Sequence, residues 1–142
     1  MASDDFPFAF DQLQSTTFRF ATLNTDGGGL EYGAFVWNES TTEAIGGPVL
    51  MESVPLRRKP LAMRFRHRFT GTTFVFVSVH LRSELKHGLD EAAAIAESLV
   101  SFIKSEGWGD AASVVLLGDF NFAPPCGWLK LKNKAKERLG LA

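Results

Sequence analysis

The feature that most constrains this chain is a strand–helix–strand pattern in its second half. Phe74 to Val79 is a nearly continuous apolar run that predicts a strand buried on both faces, and Val114 to Leu117 predicts a second short strand. Between them, Asp90 is a candidate N-cap, apolar residues recur at helical spacing and Gly107 ends the pattern, so a helix is predicted over 90–104. Such a unit can bring the ends of both strands to one edge of the fold.

Polar residues that can carry chemistry follow both predicted strands. His80 comes directly after the first, while Asp119 and Asn121 follow the second in the tetrapeptide GDFN. A histidine there can act as an acid or base, and a carboxylate beside an amide suits Mg²⁺ and a phosphate oxygen. If the extended backbone continues through GDFN, Asp119 and Asn121 point the same way. The alternatives are a structural histidine and an Asp–Asn turn after a strand.

The first half of the chain predicts four further strands, and the end of the chain predicts a lysine-rich helix in WLKLKNKAKERLG. The last of the four strands alternates most cleanly, with an apolar face and an arginine-bearing face, which predicts core on one side and solvent on the other. Helices and strands together predict an α/β (α+β) fold. The four strands are Thr17 to Leu23, Tyr32 to Asn38, Thr41 to Leu50 with a break at Gly46-Gly47-Pro48, and Leu61 to Phe69.

Composition excludes several classes of protein. Lys and Arg number 15 against 16 Asp and Glu, which excludes nucleic-acid binding through bulk positive charge. The single cysteine, Cys126, excludes an internal disulfide framework and any CxxC motif. No signal peptide or membrane-spanning run is recognisable, so a soluble, intracellular protein without a membrane span is expected.

Five stretches, in order, resemble the endonuclease/exonuclease/phosphatase superfamily, which has the deoxyribonuclease I-like fold. They are GLEYGAFVWN, RRKPLAMRFR, TFVFVSVHLRS, the predicted helix and VVLLGDFNFAPP. The resemblance covers roughly residues 17 to 130, and VSVHLRS and LLGDFN are its most specific motifs. It implies part of a four-layer α-β-β-α sandwich. Residues 1–16 are then an N-terminal segment and a candidate for disorder, and residues 17–142 are a partial domain.

The resemblance also implies a set of site residues. His80 matches the histidine that contacts the scissile phosphate, and Glu31 matches the carboxylate that orients that histidine. Asp119 matches the aspartate that activates water near a bound Mg²⁺ or Mn²⁺, and Asn121 matches an amide that binds a phosphate oxygen. Arg58, before Lys-Pro, matches an arginine that grips the substrate backbone. Without the resemblance, Glu31 is interpreted as a solvated acid and Arg58 as a surface loop cation.

The chain departs from the family pattern at two places. Nothing before Glu31 matches the family's principal metal-binding glutamate, because Asn24 and Asp26 lie in a glycine-rich turn. No histidine follows Asn121, whereas the family ends in an Asp-His pair. Of the metal ligands that the resemblance implies, the chain therefore contains Asp119 but not the principal glutamate.

Three functions follow from the resemblance and its gaps. The leading hypothesis is divalent-metal-dependent phosphodiester hydrolysis, as in a nuclease, by a truncated domain that is weak or inactive alone. The alternatives are a non-catalytic fragment that binds nucleic acid or protein, and hydrolysis of inositol phosphates or sphingomyelin. The expected partner is nucleic acid or another phosphoester. Because 13 phenylalanines would be poorly covered in a partial domain, self-association through exposed apolar surface is a further alternative.

Overall fold

The computed structural model describes residues 17–121. All four strands expected in the first half are present, as are the two expected around the helix. Residues 1–16 and the lysine-rich helix predicted at the end of the chain lie outside the described residues. Within the described range the elements are β1 (Phe18–Asn24), β2 (Tyr32–Asn38), β3 (Thr42–Leu50), β4 (Leu61–His67), β5 (Thr73–His80), α1 (Leu85–Ser105) and β6 (Ser113–Asp119).

The strands form two sheets. β1 and β2 pair antiparallel as a two-stranded sheet, and the second sheet has the order β3-β4-β5-β6. Its first three strands are antiparallel, whereas β5 and β6 are parallel and are connected through α1. The break predicted within β3 appears as a shift of register between Ile45 and Val49, while the strand itself continues. The predicted strand–helix–strand unit is therefore confirmed as β5-α1-β6.

The helix starts earlier than its sequence signals predict. α1 begins at Leu85 and not at Asp90, and its N-cap residue Glu84 makes no capping hydrogen bond through its side chain. The buried face of the helix already includes Leu89, one residue before the predicted cap. Packing of this apolar face against the sheet outweighs the preference of aspartate for a cap position. The predicted stop is confirmed, since Gly107 follows the helix with φ of 68°.

The core is divided by the four-stranded sheet. On one side Val75, Val77 and Val79 of β5 belong to a buried cluster with Ile95 of α1. On the other side Phe76 packs with a second cluster that includes residues of β2 and β4. Strand β5 is therefore covered on both faces, as its apolar run predicts. The described residues form three layers, α-β-β, of the predicted α-β-β-α sandwich.

The prediction that β4 buries one face and exposes the other is wrong for its first half. Leu61 is fully buried in the cluster shared with β2, and Ala62 is fully buried on the opposite side in the cluster shared with α1. Arg64 follows on the helix side, where its side chain is only 14% exposed and pairs with Asp110. Further along, Arg66 and Arg68 are exposed, as the alternation predicts. Both faces are covered because α1 and the two-stranded sheet lie on opposite sides of β4.

A hairpin joins β4 and β5, and the apolar residue at its tip is not part of the core. Strand β4 ends at His67, and Gly71, with φ of 70°, donates its N–H to the His67 carbonyl across the turn. Phe69 lies in this turn and is 78% exposed, so its predicted place on the core face is wrong.

No helix among the described residues is long and apolar enough to cross a membrane.

Candidate functional site

The ends of three neighbouring strands meet at one edge of the four-stranded sheet. His80 ends β5 and pairs in parallel register with Asp119, which ends β6. The next residue, Leu81, donates its N–H to the Asp119 carbonyl at 2.9 Å. Because β4 runs antiparallel, its first residue Leu61 pairs with Ser78 near the same edge. This edge is where ligands usually bind in sheets with parallel strands.

Three of the predicted site residues meet at the edge although they come from separate parts of the chain. Glu31 Oε2 lies 2.5 Å from Arg58 Nε and 3.4 Å from His80 Nδ1. This oxygen is buried, and neither neighbour forms a hydrogen bond of standard geometry with it. The side chains of Arg58 and His80 are 30% and 46% exposed, so both remain accessible to a ligand. The result is a carboxylate shared by two accessible nitrogen-bearing groups.

Buried Thr25 links Glu31 to Lys59, the residue after Arg58, through backbone hydrogen bonds. Its N–H donates to the Glu31 carbonyl at 2.9 Å, which closes the turn between β1 and β2. Its carbonyl accepts from the Lys59 N–H at 2.6 Å, which ties that turn to the loop before β4. No sequence pattern predicts this role, because a threonine after a strand is compatible with many turns.

Asn24 has a structural role that agrees with its exclusion as a metal-binding residue. Its Oδ1 accepts from the N–H groups of Asp26 and Gly28, and its Nδ2 donates to the Gly29 carbonyl at 2.7 Å. All polar atoms of this amide are therefore used within the glycine-rich turn. This glycine-rich turn therefore sets the position of the backbone just before Glu31.

A small pocket of about 70 Å³ lies beside the shared carboxylate. Sites for drug-sized ligands are roughly 300–1,000 Å³, so this pocket suits a small group and not a whole large molecule. Lys59 also lines it, but its Nζ is held by the carbonyls of Glu52 and Val54 at 3.2 and 2.8 Å. The pocket is lined by Thr25, Glu31, Tyr32, Gly33, Arg58, Lys59, Ser78, Val79 and His80.

Asp119 and Asn121 lie at the same edge but outside the lining of this pocket. The extended backbone ends at Asp119, and Asn121 has φ of 53°, in the left-handed region. Asn121 donates its N–H to Asp119 Oδ1 at 2.8 Å and its Nδ2 to the Leu81 carbonyl at 2.7 Å. The extended geometry that would point both side chains the same way therefore does not persist. The amide expected to bind phosphate is engaged with the His80–Arg82 segment instead.

The donor groups among residues 17–121 do not make a complete metal site. No group of three or more histidine, cysteine, aspartate or glutamate residues in this range is arranged to hold an ion. Asp119, the carboxylate expected to bind Mg²⁺, is exposed and accepts a hydrogen bond from Asn121. A hard divalent cation normally requires more oxygen ligands than this. Residues 17–121 therefore do not by themselves supply the set of ligands that such an ion needs.

No protein-family model matches the chain, and no curated protein matches it. Several solved structures, however, are similar to the chain. An endonuclease/exonuclease/phosphatase family protein from Bacteroides thetaiotaomicron is 16% identical, with a TM-score of 0.62 over 91% of this chain and 50% of that one. The mannosyl-6-phosphatase Bt3783 of Bacteroides thetaiotaomicron is 16% identical, with a TM-score of 0.60 over 91% and 53%. The human Nocturnin catalytic domain with bound sulfate is 12% identical, with a TM-score of 0.62 over 84% and 48%.

These similarities show that the chain has the fold of endonuclease/exonuclease/phosphatase proteins. The predicted fold class is therefore confirmed. The chain spans about half the length of these solved structures, so it corresponds to part of their domain.

Proposed function

We propose that the chain belongs to the endonuclease/exonuclease/phosphatase family and that the edge formed by β4, β5 and β6 binds and hydrolyses phosphoesters. The observation that carries this proposal is the meeting of Glu31, Arg58 and His80 at one buried carboxylate oxygen. Each of these residues has a common structural interpretation when taken alone. Their convergence beside a small open pocket favours a site.

The geometry supports a division of roles within this group. Nδ1 of His80 faces Glu31, so Nε2 is the ring nitrogen left for a substrate oxygen. A carboxylate next to a histidine selects the tautomer and fixes the ring orientation. Arg58 is partly exposed, and its guanidinium has further N–H groups with which to bind a phosphate oxygen while Nε faces Glu31.

Hydrolysis of a phosphoester requires a water oxygen to bond to phosphorus and the bond to the leaving oxygen to break. In the proposed site, Asp119 accepts the proton that the attacking water loses, and His80, protonated on both ring nitrogens with Nδ1–H toward Glu31, gives its Nε2 proton to the leaving oxygen. Arg58 neutralises negative charge on the phosphoryl oxygens.

The proposed substrate class is a phosphoester, with nucleic acid as the finer proposal from the motif resemblance. One structural neighbour is a mannosyl-6-phosphatase, which supports phosphoester chemistry on this fold without selecting nucleic acid. Fold alone does not define a substrate. The pocket accepts a group of limited size, which is compatible with a phosphoryl group whose remaining substrate lies on the surface.

Binding of phosphoesters without turnover is a second candidate function. It is favoured by one observation, the lack of three convergent metal-type ligands among residues 17–121. A site that keeps Arg58 and His80 can still hold an anion. Hydrolysis assays combined with binding measurements separate the two functions.

The test is hydrolysis of DNA, RNA, a phosphomonoester and a chromogenic phosphodiester, each with and without Mg²⁺ or Mn²⁺. Wild-type protein is compared with His80→Ala and Asp119→Asn. His87→Ala is the matched control, because His87 is an exposed histidine of α1 that pairs with Glu84. Cleavage that is lost in both site variants and retained in the control supports the proposal. Cleavage that neither site variant changes contradicts the assigned roles, and binding without cleavage supports the second candidate.

A further inference from the structure

Glu91, on helix α1, bonds the segment that follows the site histidine. Its Oε2 accepts the backbone N–H of Arg82 at 2.8 Å, and its Oε1 lies 3.1 Å from Arg82 Nε. The Glu91 side chain is only 12% exposed, whereas the Arg82 side chain is 55% exposed. A largely buried carboxylate therefore accepts the backbone N–H of Arg82 and forms an ion pair with its side chain, two positions after His80.

The same short segment is held from the other side by β6. Leu81 is 1% exposed, its N–H donates to the Asp119 carbonyl, and its carbonyl accepts from Asn121 Nδ2. Successive backbone groups after His80 are thus bound to two different elements. Asp119 at the end of β6 binds the N–H of Leu81, Asn121 just after β6 binds its carbonyl, and α1 fixes the N–H of Arg82 through Glu91.

This arrangement matters because strand β5 ends at His80. Beyond the strand, the ladder of the sheet no longer determines the backbone, and the ring of a terminal residue follows the direction of the chain. The distance of 3.4 Å between Glu31 Oε2 and His80 Nδ1 depends on that direction. A displacement of about 1 Å in a catalytic group can reduce a rate by two orders of magnitude.

We propose that Glu91 is a positioning residue for His80, acting through the backbone N–H of Arg82. The proposal rests on the proposed function, because it assigns to Glu91 an effect on the chemistry of His80. The ion pair with the exposed Arg82 side chain contributes little, since exposed pairs are weak. The bond to the backbone N–H is the part that fixes the chain.

The test compares Glu91→Ala with Glu91→Gln. The glutamine keeps an oxygen that can accept the Arg82 N–H, whereas alanine removes it and is still a strong helix former. Glu97→Ala, an exposed acid of the same helix, is the control. Circular dichroism checks that each variant retains the helix.

Two readouts do not require turnover. In Glu91→Ala we expect the Arg82 amide to exchange with solvent about tenfold faster or more, because its acceptor is gone. We also expect the NMR signals of the His80 ring to move in Glu91→Ala and to stay near wild type in Glu91→Gln and Glu97→Ala. Unchanged His80 signals in Glu91→Ala, or equal changes in the alanine and glutamine variants, overturn the proposal.

Kinetics then separate this proposal from the proposed function. Where the wild type hydrolyses a phosphodiester, Glu91→Ala should lower kcat about tenfold and leave KM within about twofold, because substrate binding by Arg58 is retained. Hydrolysis that is equal in the wild type and Glu91→Ala overturns the positioning role while the proposed function stands. Absence of hydrolysis in the wild type, with the expected NMR changes, contradicts the proposed turnover while the contact of Glu91 stands.

Discussion

Glu31 Oε2 lies 3.4 Å from Nδ1 of His80, and this contact joins the two sheets of the protein. Glu31 directly precedes β2 of the two-stranded sheet, whereas His80 ends β5 of the four-stranded sheet. The geometry of the site therefore depends on how the two layers pack. Packing of Phe35 and Trp37 of β2 against Phe65 of β4 fixes that relationship within the core.

Replacing Glu31 by glutamine should reduce phosphoester hydrolysis by about tenfold to a hundredfold, because the amide no longer stabilises the oriented histidine as a carboxylate does. The change should appear mainly in kcat. Steady-state kinetics on a chromogenic phosphodiester check it. Glu39→Gln is the control, since Glu39 follows the opposite end of β2 and forms an exposed pair with Arg19. Equal rates for the wild type and Glu31→Gln would remove Glu31 from the site.

Replacing Arg58 by alanine should weaken binding of a phosphoester. Loss of a charge-assisted hydrogen bond corresponds to about 1.5–3 kcal/mol, or roughly tenfold to a hundredfold in KM or Kd. Isothermal titration with a non-hydrolysable phosphodiester analogue measures it. Arg57→Ala is the matched control, because Arg57 is the adjacent exposed arginine and does not line the pocket. A larger loss of affinity in Arg57→Ala than in Arg58→Ala would contradict the assignment.

Gly118 should not tolerate a side chain. Its φ is 124°, and an added Cβ would lie 2.1 Å from the carbonyl oxygen of Val79 on the neighbouring strand. Gly46 also has a positive φ, of 79°, but open space surrounds its Cβ position. Gly46→Ala should therefore cost about 1 kcal/mol of unfolding free energy from backbone strain alone.

Gly118→Ala adds a clash with backbone to that strain, so we expect it to cost about 3 kcal/mol or more. It should also disturb the pairing of His80 with Asp119, because Gly118 directly precedes Asp119 in β6. Urea denaturation of both variants checks the order. Equal stability of the two alanine variants would show that β6 is not packed this closely against β5.

Removing Asp110 should destabilise the fold through Arg64. The Arg64 side chain is mostly covered, pairs with Asp110 and has a buried Nε without a hydrogen-bond partner. Asp110→Ala leaves this cation unpaired and should cost about 1–3 kcal/mol. Glu43→Ala, which breaks the exposed pair with Arg66 on the same strand, should cost less than about 1 kcal/mol. Urea denaturation decides, and a larger effect of Glu43→Ala would contradict the argument.

The sequence predicts the strands well because alternation and apolar runs directly reflect burial in a sheet. It predicts the start of α1 less well, since Asp90 has the chemistry of a cap whereas Leu89 already belongs to the buried face. The same reason explains the error in β4. Its alternating pattern predicts one exposed face, whereas α1 and the two-stranded sheet cover both faces. These errors arise from tertiary packing, which local patterns do not contain.

At the candidate site, the sequence proposes residues that the fold brings to one end of the sheet, but it does not predict all of their contacts. The meeting of Glu31 with His80 was expected from the motif resemblance, and the contact distance agrees with it. The left-handed backbone of Asn121 was not predicted, because an asparagine after a strand is compatible with extended and turned geometry alike. The bond from Glu91 to Arg82 was also missed, since it depends on where the helix passes the strand end.

The most direct test of the account is the ratio of kcat/KM for a chromogenic phosphodiester between the wild type and His80→Asn. His67→Asn is measured alongside, because His67 ends β4 at the opposite edge of the sheet and bonds Thr70. We expect a fall of about a hundredfold or more for His80→Asn and rates near wild type for His67→Asn. Equal kcat/KM values for the wild type and His80→Asn would contradict the account.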